Sequence, residues 1–318
     1  MATIRLLHIS DPHICKFLGI RQLAKDISIK KTLANYTFAG KYSPKKLSAF
    51  LRFIRRRQST LNGVILTGDI ATTGRDIDLK KAFEIVKNRI EPIGIPLGLL
   101  PGNHDRWVPY RTGQNSALFS LGYDPGGKDF HKVFSGFWGP GDVRTFDFFK
   151  DRFRVAVIAA DLSLRRAKDA ETLRLVNKHG QGMAYKDIVD ELEAKTLAST
   201  SDEDTPTVVI WAIHFPPYSP DIGNDMRLLL QGELVDRAQS LGVPLVLAGH
   251  SHVPRAYAIL TKNVRVFCAG SLTEHSQSRN NLFIINVEHL GSNYSIGLEH
   301  YEYDSFLRRF VKKAFMFG

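Results

Sequence analysis

Five short blocks of metal-ligating side chains occur in one order along this chain, each directly after an apolar run. They are Asp11-Pro12-His13, Gly68-Asp69, Gly102-Asn103-His104-Asp105, His214, and Gly249-His250-Ser251-His252. Carboxylate, imidazole and one amide oxygen, each at the end of a predicted strand, can together hold two hard divalent cations a few ångströms apart. This pattern points to an α/β architecture that gathers its strand ends at one site, and to the hydrolysis of phosphoesters there.

Each block has an ordinary alternative when taken alone. Asp11 reads equally as a helix cap with His13 on the surface, and Gly68-Asp69 as a turn. Pro12 does restrict the backbone between Asp11 and His13, so both side chains can turn to one ion. Gly102-Asn103 is a turn signature, but a turn does not explain the His104-Asp105 that follows. His214 ends an apolar run before Phe215-Pro216-Pro217, where a lone histidine is often structural. His250 and His252, at a spacing of two, can offer one nitrogen to each of two adjacent metals. Coincidence is a poor account of all five together.

The chain has 318 residues and 43% hydrophobic content, enough for one large core or two modest ones. Apolar runs predict strands at 4–9, 64–67, 97–100, 154–159, 207–213, 245–248, 264–269 and 282–287, and helical spacing appears at 44–57, 77–89, 184–197 and 232–240. One catalytic domain over 1–304 is expected, with a basic amphipathic insertion at about 16–60 and a Gly- and aromatic-rich segment at about 107–150 leaning over the site as a cap. The tail 305–318 reads as a basic amphipathic helix, with Phe306, Phe310, Ala314 and Phe317 on one stripe and Arg308, Arg309, Lys312 and Lys313 elsewhere.

Charge is unevenly distributed. Residues 1–60 carry 13 Lys or Arg against two Asp, so the whole formal excess of +11 sits there. That asymmetry predicts an anionic partner, such as a membrane surface, for residues 16–60 and 305–318. The two cysteines, Cys15 and Cys268, lie far apart and the start lacks a signal-peptide core, which predicts a reduced, cytoplasmic protein, peripheral on the inner face of the membrane. Cys15, two residues from His13, is expected to be a packed thiol, and His8 a structural histidine.

At the five blocks the sequence resembles the calcineurin-like metallophosphoesterase superfamily, from Asp11 to His252 and with no ligand missing. The resemblance implies a four-layer α/β/β/α sandwich of two mixed sheets with a binuclear centre at the strand ends. One metal would take Asp11, His13 and His252, the other Asn103, His214 and His250, with Asp69 bridging them and a hydroxide shared by both metals as nucleophile. His104, outside the ligand shell, would protonate the leaving oxygen or bond the phosphoryl group, with Asp105 orienting it. Mn²⁺ is favoured, with Fe or Zn²⁺ also suited to these ligands.

Within the superfamily the pattern looks most like the bacterial phosphodiesterase branch, which includes UDP-2,3-diacylglucosamine pyrophosphohydrolases. It implies a nucleotide-containing phosphodiester or diphosphate as substrate, lipid-linked in the first reading. The alternatives are a cyclic-nucleotide phosphodiesterase, a nuclease and a non-catalytic metal-binding scaffold. No aromatic-basic interleaving of the kind that grips single strands accompanies the positive charge, which leaves nucleic acid behind the other partners.

Overall fold

Apolar runs and the turns that end them build two mixed six-stranded sheets packed face to face in the computed structural model. The structure describes residues 2–16, 42–109, 121–123, 128–164, 180–202, 204–223, 226–259, 262–274, 280–291 and 293–315.

In chain order the first elements are β1 (Ala2–Ile9), α1 (Pro44–Arg56), β2 (Gly63–Thr67), α2 (Asp76–Ile85), β3 (Leu97–Leu100) and the single-turn α3 (Asn103–Arg106). A small hairpin, β4 (Trp107–Pro109) and β5 (Leu121–Tyr123), leads to α4 (Lys128–Val133), β6 (Val143–Lys150) and β7 (Phe153–Ala160). Next come β8 (Gly182–Met183), α5 (Lys186–Thr200), β9 (Thr207–Ile213), β10 (Leu228–Leu229) and α6 (Gln231–Ser240). The chain closes with β11 (Leu245–Ala248), β12 (Arg255–Ile259), β13 (Val264–Cys268), β14 (Asn281–Leu290), β15 (Asn293–Asp304) and β16 (Arg309–Lys313).

The first sheet has the order β16-β15-β14-β1-β2-β3 and the second β12-β13-β11-β9-β7-β6. Strands β1, β2 and β3 run parallel, as do β13, β11, β9 and β7, so their C-terminal ends lie on one edge of each sheet. Alternation along β7 shows why these strands read as continuous apolar runs. Val155, Val157 and Ala159 face the core between the sheets, while Ala156, Ile158 and Ala160 meet Ile188, Val189 and Leu192 of α5. From Val155 onward both faces are buried, so no polar position is left there. On the other side α1 starts at a Ser43 cap with Pro44 in its first turn, and it buries Leu47, Phe50, Leu51 and Ile54 against the first sheet. The layers therefore run α/β/β/α, as expected.

Four expectations change. Residues 305–315 do not form the expected amphipathic helix: Arg309–Lys313 is a strand paired antiparallel with His300–Asp304, and 316–318 lie outside the described residues. The twelve-residue β15 would otherwise expose a full row of main-chain donors and acceptors. Phe310, which a helix would have put on its apolar stripe, instead packs edge-on to Phe53 and Tyr303. Part of the segment expected as a cap at 107–150 is core instead. Phe130, Phe134 and Trp138 are buried there, and Val143–Lys150 is an edge strand of the second sheet. Residues 110–120 and 124–127 of that segment lie outside the described residues. The basic insertion at 16–60 divides in the same way, with 17–41 outside the described residues and α1 covering a sheet. Helix 77–89 ends earlier, at Ile85, and continues as a π-type turn over Val86–Ile90.

Candidate metal centre

Strand ends alone do not aim side chains; the backbone beyond them does. Asp11, His13, Asp69, His250 and His252 all take left-handed φ values, between 45° and 67°, a region non-glycine residues seldom occupy. Five such residues in one place mark strain held by the surrounding structure. The loops are stitched together to hold it. Asp11 N donates to Gly68 O at 3.1 Å, His13 N to Asp69 O at 3.0 Å, and His250 N to Asp11 Oδ2 at 3.0 Å. Glycine is required where these loops touch, since a Cβ at Gly102 would overlap Asp69 Oδ1 and one at Gly249 would overlap Ser10 Oγ.

The five blocks converge into two adjoining groups. In the first, donor atoms of Asp11, His13, Asp69 and His252 all lie within 4.8 Å of one another. His252 Nε2 is 3.1 Å from Asp11 Oδ1 and 3.0 Å from His13 Nε2. In the second, His214 Nε2 lies 3.1 Å from Asn103 Oδ1 and 3.4 Å from Asp69 Oδ1, and its ring centroid is 5.0 Å from that of His250. Asp69 belongs to both: Oδ1 faces His214, while Oδ2 is 3.8 Å from His13 Nε2.

Hydrogen bonds decide which ring nitrogen of each histidine is free. A carbonyl oxygen only accepts, so His214 Nδ1, 2.7 Å from Thr67 O, carries a proton; Nε2 donates to Asn103 Oδ1 at 3.1 Å while the ring is charged and would hold the lone pair once the ring is neutral. His250 is reversed, since Nε2 donates to Met226 O at 2.9 Å and Nδ1 is left free. His252 Nδ1 donates to Glu274 Oε2 at 2.6 Å and His104 Nδ1 to Thr72 O at 2.8 Å. Four rings are thus each fixed in one tautomer from behind, the arrangement that orients metal-binding imidazoles.

Charge in the cluster follows from burial and proximity. Burial would raise Asp69, but His214, His104 and His13 hold its carboxyl well below the ordinary range. Burial also opposes a charge on His214, yet the Asp69 carboxylate outweighs it and raises that imidazole to about 9. His250, buried beside His214, falls to about 3 and is neutral at physiological pH. The donor set fits divalent cations. Bonds of about 2.0–2.2 Å put neighbouring donors roughly 3–4 Å apart, and the measured separations lie around that range.

Asp105 does not orient His104. Its carboxylate accepts from the main-chain N–H groups of Gly102, Ile70 and Ala71 at 2.8, 3.0 and 2.7 Å, tying the loop after β2 to the loop after β3. Burial and the nearby Asp69 raise it to about 7. The role expected of Asp105 falls to the Thr72 carbonyl, because the single turn of α3 points residues 104 and 105 in different directions. Cys15 is a buried free thiol, pushed up to about 12 by burial, and His8 bonds Thr67 Oγ1 at 3.0 Å within the sheet.

Glu274 escaped the sequence reading. It lies in the segment that follows β13, a sixth strand-end loop at the same edge, and that position is its only signal in the sequence.

Comparison with known proteins agrees with this geometry. The family model described as calcineurin-like phosphoesterase matches residues 4–254. No curated protein matches the sequence. Among solved structures, a dimetal phosphatase from Danio rerio superposes with a TM-score of 0.57 at 13% identity, covering 94% of this chain and 95% of that one. The purple acid phosphatase PPD1 of yellow lupin (Lupinus luteus) gives 0.52 at 13% identity, over 95% of this chain and 52% of the lupin protein. GAP50, the anchor in the inner membrane complex of Plasmodium, gives 0.50 at 12%, over 96% and 85%. At such identities these structures speak for the fold, and the family match over most of the chain speaks for the chemistry. The chain belongs to the calcineurin-like phosphoesterases and is a metal-dependent phosphoesterase.

Proposed function

We propose that the protein hydrolyses a phosphodiester or diphosphate bond in a nucleotide-containing substrate. In this reading Asp11, His13 and His252 hold one divalent cation, Asn103, His214 and His250 hold a second, and Asp69 lies between them. The observation that carries it is the position of Asp69, whose two oxygens face different histidine groups, Oδ2 toward His13 and Oδ1 toward His214. Two cations bound there supply a water of lowered pKa and fixed positive charge for the phosphoryl oxygens. Mn²⁺ is the favoured metal, and Fe or Zn²⁺ also suit a mixed oxygen and imidazole set.

The remaining chemistry belongs to the chain. His104 stays outside both groups, with Nε2 4.0 Å from Asp69 Oδ2 and the side chain partly open to solvent. In the imidazolium form Nδ1 keeps its bond to Thr72 O, and Nε2 delivers its proton to the leaving oxygen as the P–O bond breaks. Trp107 packs against this ring at 4.7 Å and limits its rotation. A lipid-linked diphosphate is the favoured substrate class, supported by the likeness of the ligand blocks to the pyrophosphohydrolase branch and by the cationic excess of residues 1–60.

The test is hydrolysis of bis-p-nitrophenyl phosphate against p-nitrophenyl phosphate by metal-depleted protein titrated with Mn²⁺, with Asp69→Ala in parallel. Metal-dependent cleavage that favours the diester and disappears in the variant is expected. A monoester preference would overturn the diester reading, and two bound metals without cleavage of either ester would overturn the activity.

A further inference from the structure

The edge of the first sheet carries a surface that the metal centre does not use. The turn at 305–308, between β15 and β16, presents Phe306 at 92% exposure and Leu307 at 46%. Phe306 has by far the highest exposure among the large apolar residues exposed in the described structure, and it is followed by Arg308 and Arg309. Helix α1 lies alongside, and Arg52 Nη2 donates to Arg308 O at 3.0 Å, fastening the turn to the helix.

Between α1 and β16 runs a groove of about 410 Å³, walled by Arg52, Arg56, Arg309 and Lys312 over a floor of Phe53 and Phe310. Lys312 is matched by Glu299 at 2.9 Å, and Arg57 is held over the rings of Phe53 and Tyr301 at 4.1 and 4.9 Å. Arg56 and Arg309 have no carboxylate within ion-pair distance among the described residues, although both are exposed at the groove. Asp304, whose carboxylate caps the turn by accepting from Leu307 N at 2.8 Å, is the nearest acidic group along the chain.

We propose that this edge docks on an anionic phospholipid surface, with Phe306 and Leu307 entering the interfacial region and a lipid phosphate seated in the arginine groove. Aromatic and aliphatic side chains beside unpaired arginines match the two layers of such a surface, apolar just beneath anionic headgroups. Guanidinium groups grip phosphate oxygens in pairs, which suits a headgroup better than a carboxylate. Sheet direction adds a consequence. Strand β14 runs antiparallel to β1 and β15 antiparallel to β14, so the turn at 305–308 lies at the sheet end where β1 delivers Asp11. Three strand spacings separate β16 from β1, about 14 Å. Docking through this turn brings the metal centre's end of the sheet toward the lipid, where a lipid-linked phosphoester is presented. The surface stands apart from the choice of substrate.

The experiment is flotation of the full chain with vesicles of equal parts phosphatidylglycerol and phosphatidylcholine, and with phosphatidylcholine alone. Variants Phe306→Ser/Leu307→Ser and Arg56→Glu/Arg309→Glu change exposed side chains and leave the Arg52 bond to the turn in place. The protein is expected on anionic vesicles and not on neutral ones, and each double variant weakens binding at least ~10-fold. Hydrolysis of bis-p-nitrophenyl phosphate in solution is expected to stay unchanged in both variants, which reads the metal centre separately from the surface. Equal binding by the variants, no vesicle binding, or an RNA homopolymer that displaces the protein from vesicles would overturn the docking surface and leave the hydrolytic reading standing.

Discussion

Behind His252 stands a carboxylate, Glu274, at 2.6 Å, whereas His214 and His250 lean on the main-chain carbonyls of Thr67 and Met226 at 2.7 and 2.9 Å. Both kinds of support fix a tautomer. Only the carboxylate adds a full negative charge to its imidazole and makes it a stronger donor. Asp11 adds another anion on the same side, while the second group contributes the neutral amide of Asn103. The two halves therefore differ in charge more than in shape, and the first half is expected to hold its cation more tightly.

Asp69→Ala breaks the comparison most completely, because it removes the group common to both halves. Metal analysis should find both cations lost, and diester hydrolysis should fall on the order of 10⁴-fold or more. Smaller in effect is His104→Ala, which touches neither half. Metal content should match the parent while turnover falls about 10²–10³-fold, and unchanged turnover on the natural substrate would remove His104 from the chemistry.

Glu274→Gln sharpens the contrast directly. It keeps a hydrogen-bond acceptor and deletes the charge, so Mn²⁺ titration followed by calorimetry should show the tighter step weakened about 10–100-fold with the weaker step unmoved. Equal weakening of both steps would show that the halves are not independent. The smallest effect is expected at Glu299, remote from both. Burial opposes its charge, but Lys312, Tyr301, Asn286 and Arg5 hold it at about 2, below the ordinary 4.5. A carboxylate with a lowered folded-state pKa stabilises the protein above pH 4.5, and that contribution is lost as the pH falls toward 2. Glu299→Gln should lower the Tm at pH 7 by about 2 °C or less, an effect that shrinks in acid, with metal binding unaltered.

Much of the centre is legible from the residues because each ligand block is local. Asp11 and His13, or His250 and His252, sit within three residues of one another at the end of an apolar run, so a linear reading meets chemistry and strand together. Glu274 is different. It lies 22 residues beyond His252 with a hairpin between them, and only the pairing of β13 beside β11 brings it behind that ring. Asp105 is the opposite case: adjacency to His104 predicts a contact, and the helical turn sends its carboxylate to three main-chain donors instead.

The same reasoning separates the two ends of the chain. The apolar runs of β2, β9 and β11 are buried on both faces along nearly their whole length, and that demand is written in their residues, so the presence of a strand at each follows from the local pattern. At β16 one residue in five is buried, and the spacing of Phe306, Phe310 and Ala314 suits a helix as well as a turn and strand. The open edge of β15, a long-range feature absent from the local pattern, decided for the strand. The residues by themselves determined which donor side chains lie at the strand ends, the sandwich and the reaction class, because these rest on short-range chemistry and two-sided burial. The tertiary structure alone decided which acceptor stands behind each histidine and which side chains share the outer edge, because those contacts join positions tens to hundreds of residues apart.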